Sequence, residues 1–225
     1  MGSPEVSYVV PAQNEAAYLP AALDAIAAQR TDRRYEVVVV DGDSDDETVA
    51  VARRRGARVC HQETGGIGAG RDLGARAADG AVLAFVDADT VVSPDHLETL
   101  LGFLRDRDLA AASSRCRVTG PRRALAIQAV INRVFPRLSR PVLPGFNLFV
   151  RADAYDDVGG FPDVPNEDTA FSRRLGRSHD TAYSRRVLAE TSGRRVAADG
   201  LTGALVHYVR LDWRRVRAEP TPSQR

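Results

Sequence analysis

The stretch YEVVVVDG, Tyr35 to Gly42, constrains the fold more than any other. Four successive valines cannot alternate between core and water. A strand made of them must therefore be buried on both faces, as interior strands of helix-covered parallel sheets are. The flanking pattern agrees. VSYVV ends at Pro11, and NEAAYLPAALDAIAAQ then places Leu19, Ala22, Leu23, Ile26 and Ala27 at the three-and-four spacing of a helix packed on a sheet. DSDDETVAVARRRG reads as a helix with acids at its start and arginines at its end, which suits the helix dipole. Asp45 or Asp46 is expected to cap it. ARVCHQ is a third strand, GIGAGRDLGARAADG a helix opened by glycines, and AVLAFVDAD a fourth strand. Such a βαβα series predicts a doubly wound, mostly parallel α/β sheet with helices on both faces.

At 225 residues the chain is read as a single domain over 1–225. Its charge divides it into a front half (about 1–110), a back half (about 111–210) and a tail (211–225). The front holds 11 arginines against 19 acids, and residues 111–225 hold 20 against 11. There is no lysine, so chemistry that needs an amine, such as a Schiff base or a Walker-type phosphate loop, is excluded. Two cysteines, Cys60 and Cys116, are too few for a disulfide framework and read as reduced thiols. No apolar run reaches the roughly 18 residues of a membrane span, and the first residues lack a leader pattern, so a cytoplasmic chain is expected.

In open α/β sheets, ligands bind beyond the carboxyl ends of the strands. Acids gather there: Asn14 and Glu15 after the first strand, Asp41 and Asp43 after the second, Asp87 and Asp89 after the fourth. If the chain stays extended through LAFVDADT, Asp87 and Asp89 point to the same side. They then need a cation between or beside them, either a metal ion or an arginine. The glycines of the GIGAG stretch do not make a dinucleotide fingerprint, because that motif follows the first strand, where this chain has PAQNEA.

Four stretches in order, VVPAQNEAAYLPAALDAIAAQ, EVVVVDGDSDDET, GRDLGARAADGAVLAFVDADT and PGFNLFVRADAYDDVGGFPDVPNEDTAFSRRL, resemble the successive signatures of family 2 nucleotide-sugar glycosyltransferases with the A-type fold. The likeness runs from about Val6 to about Gly176. It implies a metal-dependent, inverting transfer of one sugar from a nucleoside diphosphate to an acceptor hydroxyl. Asp87 and Asp89 would hold Mg²⁺ or Mn²⁺ on the donor diphosphate, since hard carboxylate oxygens prefer hard cations. His207 is a candidate third metal ligand. Pro11, Ala12, Asn14, Glu15, Asp41, Asp43, Arg71 and Asp87 would bind the nucleotide sugar. A carboxylate at Asp41 can accept from the imino N–H of uracil, thymine or guanine, which favours UDP, dTDP or GDP sugars. The family's A-R-N block reads GRD here, with Asp72 where asparagine is usual. Gly145, Phe146 and Asn147 would wall the sugar, Asp168 would be the base, and Glu167 would contact the acceptor. His61, His96 and His179 are assigned to solvent or core.

The acceptor is expected to be a saccharide or a lipid-linked group; nucleic acid is not an expected partner. Residues 115–140 hold seven arginines and no acid around an apolar helical pattern, so peripheral contact with an anionic membrane face is a further expectation. The processive members' Q-x-x-R-W block is absent; VRLDWRR lacks its spacing, which favours single transfer. Rival readings are a polyprenyl-phosphate glycosyltransferase, a sugar nucleotidyltransferase, disfavoured by the missing lysine, and a non-catalytic binding module, disfavoured by the intact acid pairs.

Overall fold

The structure, a computed structural model, describes residues 3–194 and Ala197. The front half follows the expected alternation: β1 (Val6–Ala12), α1 (Leu19–Ala27), β2 (Tyr35–Asp41), α2 (Thr48–Arg54), β3 (Arg58–His61), α3 (Ile67–Ala77) and β4 (Val82–Val86). After a short β5 (Thr90–Val92) and α4 (His96–Asp106), the long β6 (Ala111–Thr119) leads into α5 (Ala124–Ala129). A π turn, Val130–Val134, and a 3-10 turn, Phe135–Arg137, extend α5. Then come β7 (Asn147–Arg151), α6 (Ala152–Asp157), α7 (Glu167–Leu175) and β8 (Thr181–Ser192).

All eight strands form one sheet in the order β3-β2-β1-β4-β7-β6-β8-β5. The β3-β2-β1-β4 part is parallel throughout, as the valine run requires. β7 then enters antiparallel between β4 and β6, and β5 closes the far edge antiparallel to β8. Helices cover both faces. Leu19, Leu23 and Ile26 of α1 and Leu97, Leu100 and Leu101 of α4 pack with Tyr8 and Val10 on one side. Tyr155 of α6 and Phe171 and Leu175 of α7 pack with Val9 and Val38 on the other. Successive residues of β1 and β2 thus face opposite cores. Asp46 serves the start of α2, its Oδ1 accepting from the Thr48 N–H at 2.8 Å. Among the described residues no helix is long and apolar enough to cross a membrane. Cys60 and Cys116 are free thiols, and burial pushes that of Cys116 up to about 12.

One local expectation fails. The strand read as AVLAFVDAD stops at Val86, and residues 87–89 form a turn closed by the Thr90 N–H donating to the Asp87 carbonyl at 3.0 Å. Two carboxylates side by side on a strand would have to share one small space. The turn separates them, so that each finds its own cation.

Under the sheet runs a buried polar relay. Asn147 is fully buried, and its Nδ2 donates to the Ser114 hydroxyl at 2.8 Å and the Ser114 carbonyl at 3.1 Å. Its Oδ1 is therefore the acceptor facing His96 Nε2 at 3.0 Å, which places the proton on Nε2 and leaves Nδ1 to accept from the Tyr8 hydroxyl at 3.2 Å. The relay satisfies every member only while His96 is neutral, and burial holds its pKa down to about 4. An unfolded histidine takes its proton near 6.5, so below that pH the unfolded state binds the proton first. Stability contributed by this group is thus complete above pH 6.5 and falls as the pH drops towards 4, by about 3 kcal/mol. Urea unfolding from about pH 7 to 4 should show this decline, and His96→Gln should flatten it. An equal slope in the variant would contradict the neutral relay.

Candidate active site

A cleft of about 860 Å³ opens beyond the carboxyl ends of β1, β2 and β4. Pro11, Ala12, Glu15, Asp43, Asp87, Asp89 and Phe146 line it, joined by the Gln62–Ile67 approach to α3 and by Thr191–Arg194 after β8. Pro11 and Ala12 get there because β1 ends with them; Gly42 is held against β1 by donating to the Ala12 carbonyl at 2.9 Å. Asn14 and Asp43 take left-handed backbone (φ 54° and 65°), a conformation that Asn and Asp tolerate better than most residues. Both sit where strand gives way to loop. Asn14 staples those loops together. Its N–H donates to Ser44 Oγ and its Oδ1 accepts from the Asp45 N–H, both at 2.9 Å.

Asp41 lies between Val40 and Gly42, which line the cleft. It is 2 % exposed, and its Oδ2 stands 3.4 Å from both the Ser44 N–H nitrogen and His61 Nδ1. Oδ1 is buried with no partner among the described residues. A lone unsatisfied carboxylate oxygen is costly, and a ligand N–H would relieve it. His61 is exposed to solvent, and its imidazole also borders this acid, brought there by the parallel pairing of His61 with Asp41.

Two arginines supply the cations that Asp87 and Asp89 need. Arg71, on α3, is 2 % exposed and lies beneath the cleft. Its Nη2 donates to Asp87 Oδ1 at 2.6 Å and its Nη1 to Glu167, while Phe161 lies under the guanidinium at 5.5 Å. Burial works against its charge, but Asp87, Glu167 and Asp168 outweigh that and raise its pKa. Arg71 is expected among the nucleotide-binding residues; in the structure both ends of its guanidinium are held by carboxylates, because Arg71 faces inward from α3. On the open side, Arg194 donates to both oxygens of Glu15, at 2.7 Å to Oε2, and its Nε lies 3.3 Å from Asp89 Oδ2. Its guanidinium also covers the Tyr18 ring at 4.7 Å. Burial, with Asp87 nearby, still pushes the Asp89 pKa up to about 6 against the pull of Arg194. No motif in the sequence pointed to Arg194.

The loop before β7 and the start of α7 meet Arg71 from the other side. Gly145 is required there by close approach: a Cβ would lie 2.4 Å from the Arg71 guanidinium carbon. The Gly145 N–H donates to Asp168 Oδ2 at 3.3 Å, and Asp168 Oδ1 accepts from the Thr169 N–H at 2.6 Å. Asp168 therefore stands half-buried in the first turn of α7, beside the loop that sends Phe146 into the cleft. Its neighbour Glu167 is buried. Its pKa is pushed up to about 7 by that burial, against Arg71 and with Asp168 adding to the rise. Asn147 does not wall the cleft, being the buried relay residue described above. Asp72 is occupied by the Tyr155 hydroxyl at 3.1 Å and Arg76 at 2.8 Å. His179 pairs with Asp157 at 2.9 Å, far in sequence from the cleft residues. His207 lies outside the described residues.

Gly145→Ala should therefore disturb the Arg71 cluster without touching the cleft surface. We expect a loss of roughly 1–3 kcal/mol in chemical denaturation, the range for overpacking at a closed site. Unchanged stability would mean that the guanidinium has room to move.

Among the described residues no three His, Cys, Asp or Glu side chains stand together as a preformed metal cage. Asp87 and Asp89, with Glu15 nearby, offer hard carboxylate oxygens, which suits a cation that also takes oxygens from a phosphate ligand. The residues fit a divalent ion that arrives with its ligand.

A sequence profile of glycosyl transferase family 2 matches residues 7–159. The chain is 29 % identical over 195 residues to the glycosyltransferase AglE of Haloferax volcanii, covering 80 % of this chain and 63 % of that protein. It therefore spans less than two thirds of that relative's length. Among solved structures it is similar to the mannosyltransferase PcManGT from Pyrobaculum calidifontis in complex with GDP-Man and Mn²⁺, with a TM-score of 0.72, 22 % identity, and 99 % of this chain and 67 % of that chain covered. It is likewise similar to S. aureus TarS 1-349 in complex with UDP-GlcNAc, with a TM-score of 0.70, 20 % identity, and 84 % and 59 % covered. At those identities the two structures speak for the fold. The profile match, which covers most of the described chain, shows that the chain belongs to glycosyl transferase family 2.

Proposed function

We propose that the chain transfers one sugar from a nucleoside-diphosphate sugar to an acceptor hydroxyl, with inversion at the anomeric carbon and with help from a divalent cation, Mg²⁺ or Mn²⁺. The observation that carries this reading is the cleft at the strand ends, lined by Asp87 and Asp89, with the buried Asp41 held between the lining residues Val40 and Gly42 and its Oδ1 without a partner among the described residues. Asp41 Oδ1 accepts the imino N–H of uracil, thymine or guanine; adenine and cytosine would turn a ring acceptor towards it. Pro11, Ala12 and Asp43 border the nucleoside. Asp87 and Asp89 would hold the cation, whose chemistry is to neutralise the departing diphosphate. Glu15 and Arg194 border the same diphosphate, and Phe146 walls the sugar.

Asp168 takes the acceptor proton while the acceptor oxygen attacks the anomeric carbon opposite the leaving phosphate. Its two backbone N–H partners, at Gly145 and Thr169, keep it in place. Glu167, held by Arg71, orders the same turn.

A second reading has its own support. Leu125, Val130, Val134 and Leu138 are exposed along the arginine-rich segment between β6 and β7, and Ile127 and Ile131 of that segment line the cleft. An acceptor phosphate carried on lipid would reach the cleft from that side.

Mn²⁺-dependent binding of UDP or GDP, measured calorimetrically, tests the metal role. A metal binds the ionised carboxylate only, so protonation of Asp89 opposes it. Affinity should hold above about pH 6 and weaken below it, and Asp89→Ala should abolish the metal dependence. Metal dependence unchanged in Asp89→Ala would remove Asp89 from the site.

Asp168→Asn tests the transfer step. Turnover onto a hydroxyl acceptor should fall by roughly 10²- to 10⁴-fold while donor binding stays near wild type. Full turnover in the variant would point to an acceptor that is already ionised, such as a lipid phosphate. A product of retained configuration would overturn the mechanism.

A further inference from the structure

A second cavity, of about 880 Å³, lies between the end of α4, the middle of β6, the turns after α5 and the start of β8. It shares no lining residue with the donor cleft. The segment between β6 and β7 divides the two, with Ile127 and Ile131 turned to the cleft and Asn132 and Arg137 to the second cavity. Among the described residues four arginines line this cavity, Arg107, Arg115, Arg137 and Arg185, and no carboxylate does.

The convergence is built into the strands. β6 and β8 pair in register up to Ser114 and Ser184, and then the register shifts on both sides of Arg115, which pairs with Val187. The irregularity adds residues to β8, and bulges of this kind re-aim the side chains beside them. Here they leave Arg115 and Arg185 on one cavity. Asn132 locks the far wall, accepting from the Cys116 N–H at 2.9 Å and donating to the Cys116 carbonyl at 2.7 Å. The π turn that carries Asn132 is thereby tied to β6 beside Arg115.

None of the four guanidinium groups forms an ion pair among the described residues. Arg107 lies over the Phe103 ring at 4.9 Å, and Arg137 donates to the Arg133 carbonyl. The acids nearest in sequence do not reach them. Asp108 faces Arg151 at 3.9 Å, and neither Asp106 nor Asp180 lines the cavity. Other arginines of this chain do find carboxylates: Arg33, Arg55, Arg71, Arg151, Arg186 and Arg194 all do so. Like charges around one concavity repel, and an anion placed among them relieves that repulsion and accepts their forked N–H donors.

We propose that this cavity is an anion site that takes a phosphate group, separate from the donor cleft and independent of the transferase reading. The phosphate has two chemical sources, a lipid headgroup or a free phosphate. Val134 and Leu138, close in sequence to Arg137 and exposed, offer apolar surface of the kind a headgroup's chain would meet.

The test uses the full chain in EDTA, which keeps divalent ions out of the donor cleft. Wild type, Arg115→Gln/Arg185→Gln and a control of equal charge loss, Arg54→Gln/Arg76→Gln, are each titrated with inorganic phosphate by calorimetry. Each is also sedimented with vesicles of phosphatidylglycerol and phosphatidylcholine in equal parts, or of phosphatidylcholine alone. The Arg115/Arg185 variant should bind roughly tenfold more weakly than wild type in at least one arm, while the control keeps wild-type binding. Mn²⁺-dependent UDP or GDP binding should stay unchanged in both variants. Loss confined to the phosphatidylglycerol vesicles assigns the site to a lipid headgroup, and loss in the phosphate titration assigns it to a free phosphate. Binding in neither arm, or an equal loss in the control, overturns the proposal. Should the double variant fail to fold, Arg185→Gln alone, at an exposed position, is read the same way.

Discussion

A guanidinium that is 2 % exposed needs fixed carboxylates around it, and Arg71 has them on both sides. Through Asp87 it anchors the turn after β4, and through Glu167 it anchors the first turn of α7. Those two elements lie far apart in the chain, and they hold the acids at the cleft and the candidate base Asp168. Losing one partner of such a buried group leaves an uncompensated charge, which costs about 3–5 kcal/mol. Gly145 is the geometric condition for the arrangement, because any larger residue would occupy the space of the guanidinium.

The sheet explains why the rest assembles around that charge. Parallel β3-β2-β1-β4 pairing brings the carboxyl ends of β1, β2 and β4 to one edge, so Pro11, Asp43 and Asp89 share a cleft although they are far apart in sequence. Antiparallel entry of β7 next to β4 then returns the back half of the chain under the same edge and delivers Gly145 to Arg71. Charge asymmetry follows this geometry. Acids concentrate where the front-half strands end, and the back half contributes Arg194 over the mouth and three of the four arginines of the second cavity, Arg115, Arg137 and Arg185.

Much of the fold could be read from local patterns. Four valines in β2, the spaced apolar residues of α1 and the glycine-opened α3 each fix a burial pattern that one kind of element satisfies. The strand-end acids could be placed by the general rule for open sheets. What could not be read was which way a charged side chain turns. Arg71 sits among glycines and reads in sequence as a nucleotide contact, and only the packing of α3 against α7 shows that it points inward to Asp87 and Glu167. Asn147 follows Phe146 in the loop motif, yet alternation along β7 sends it into the core, where His96 and Ser114 satisfy it. Arg194 and His61 carry no motif. Arg194 reaches the cleft through the length of β8, and His61 reaches Asp41 through the pairing of β3 with β2; both are long-range consequences of the sheet order. The turn at Asp87–Asp89 was hidden for a different reason: strand propensity ends gradually, whereas charge separation ends it abruptly.

The central claim is that a nucleoside diphosphate sits on Asp41 and is held at Asp87 and Asp89 with a divalent cation. The most direct measurement is thermal unfolding of the chain with UDP, GDP, dTDP, ADP or CDP in the presence of Mn²⁺, repeated in EDTA. The expected result is stabilisation by one or more of the first three, lost in EDTA, with ADP and CDP giving little; saturation at about 100 times the dissociation constant is worth roughly 2.7 kcal/mol. Equal stabilisation by all five nucleotides, or stabilisation that survives EDTA, would contradict it.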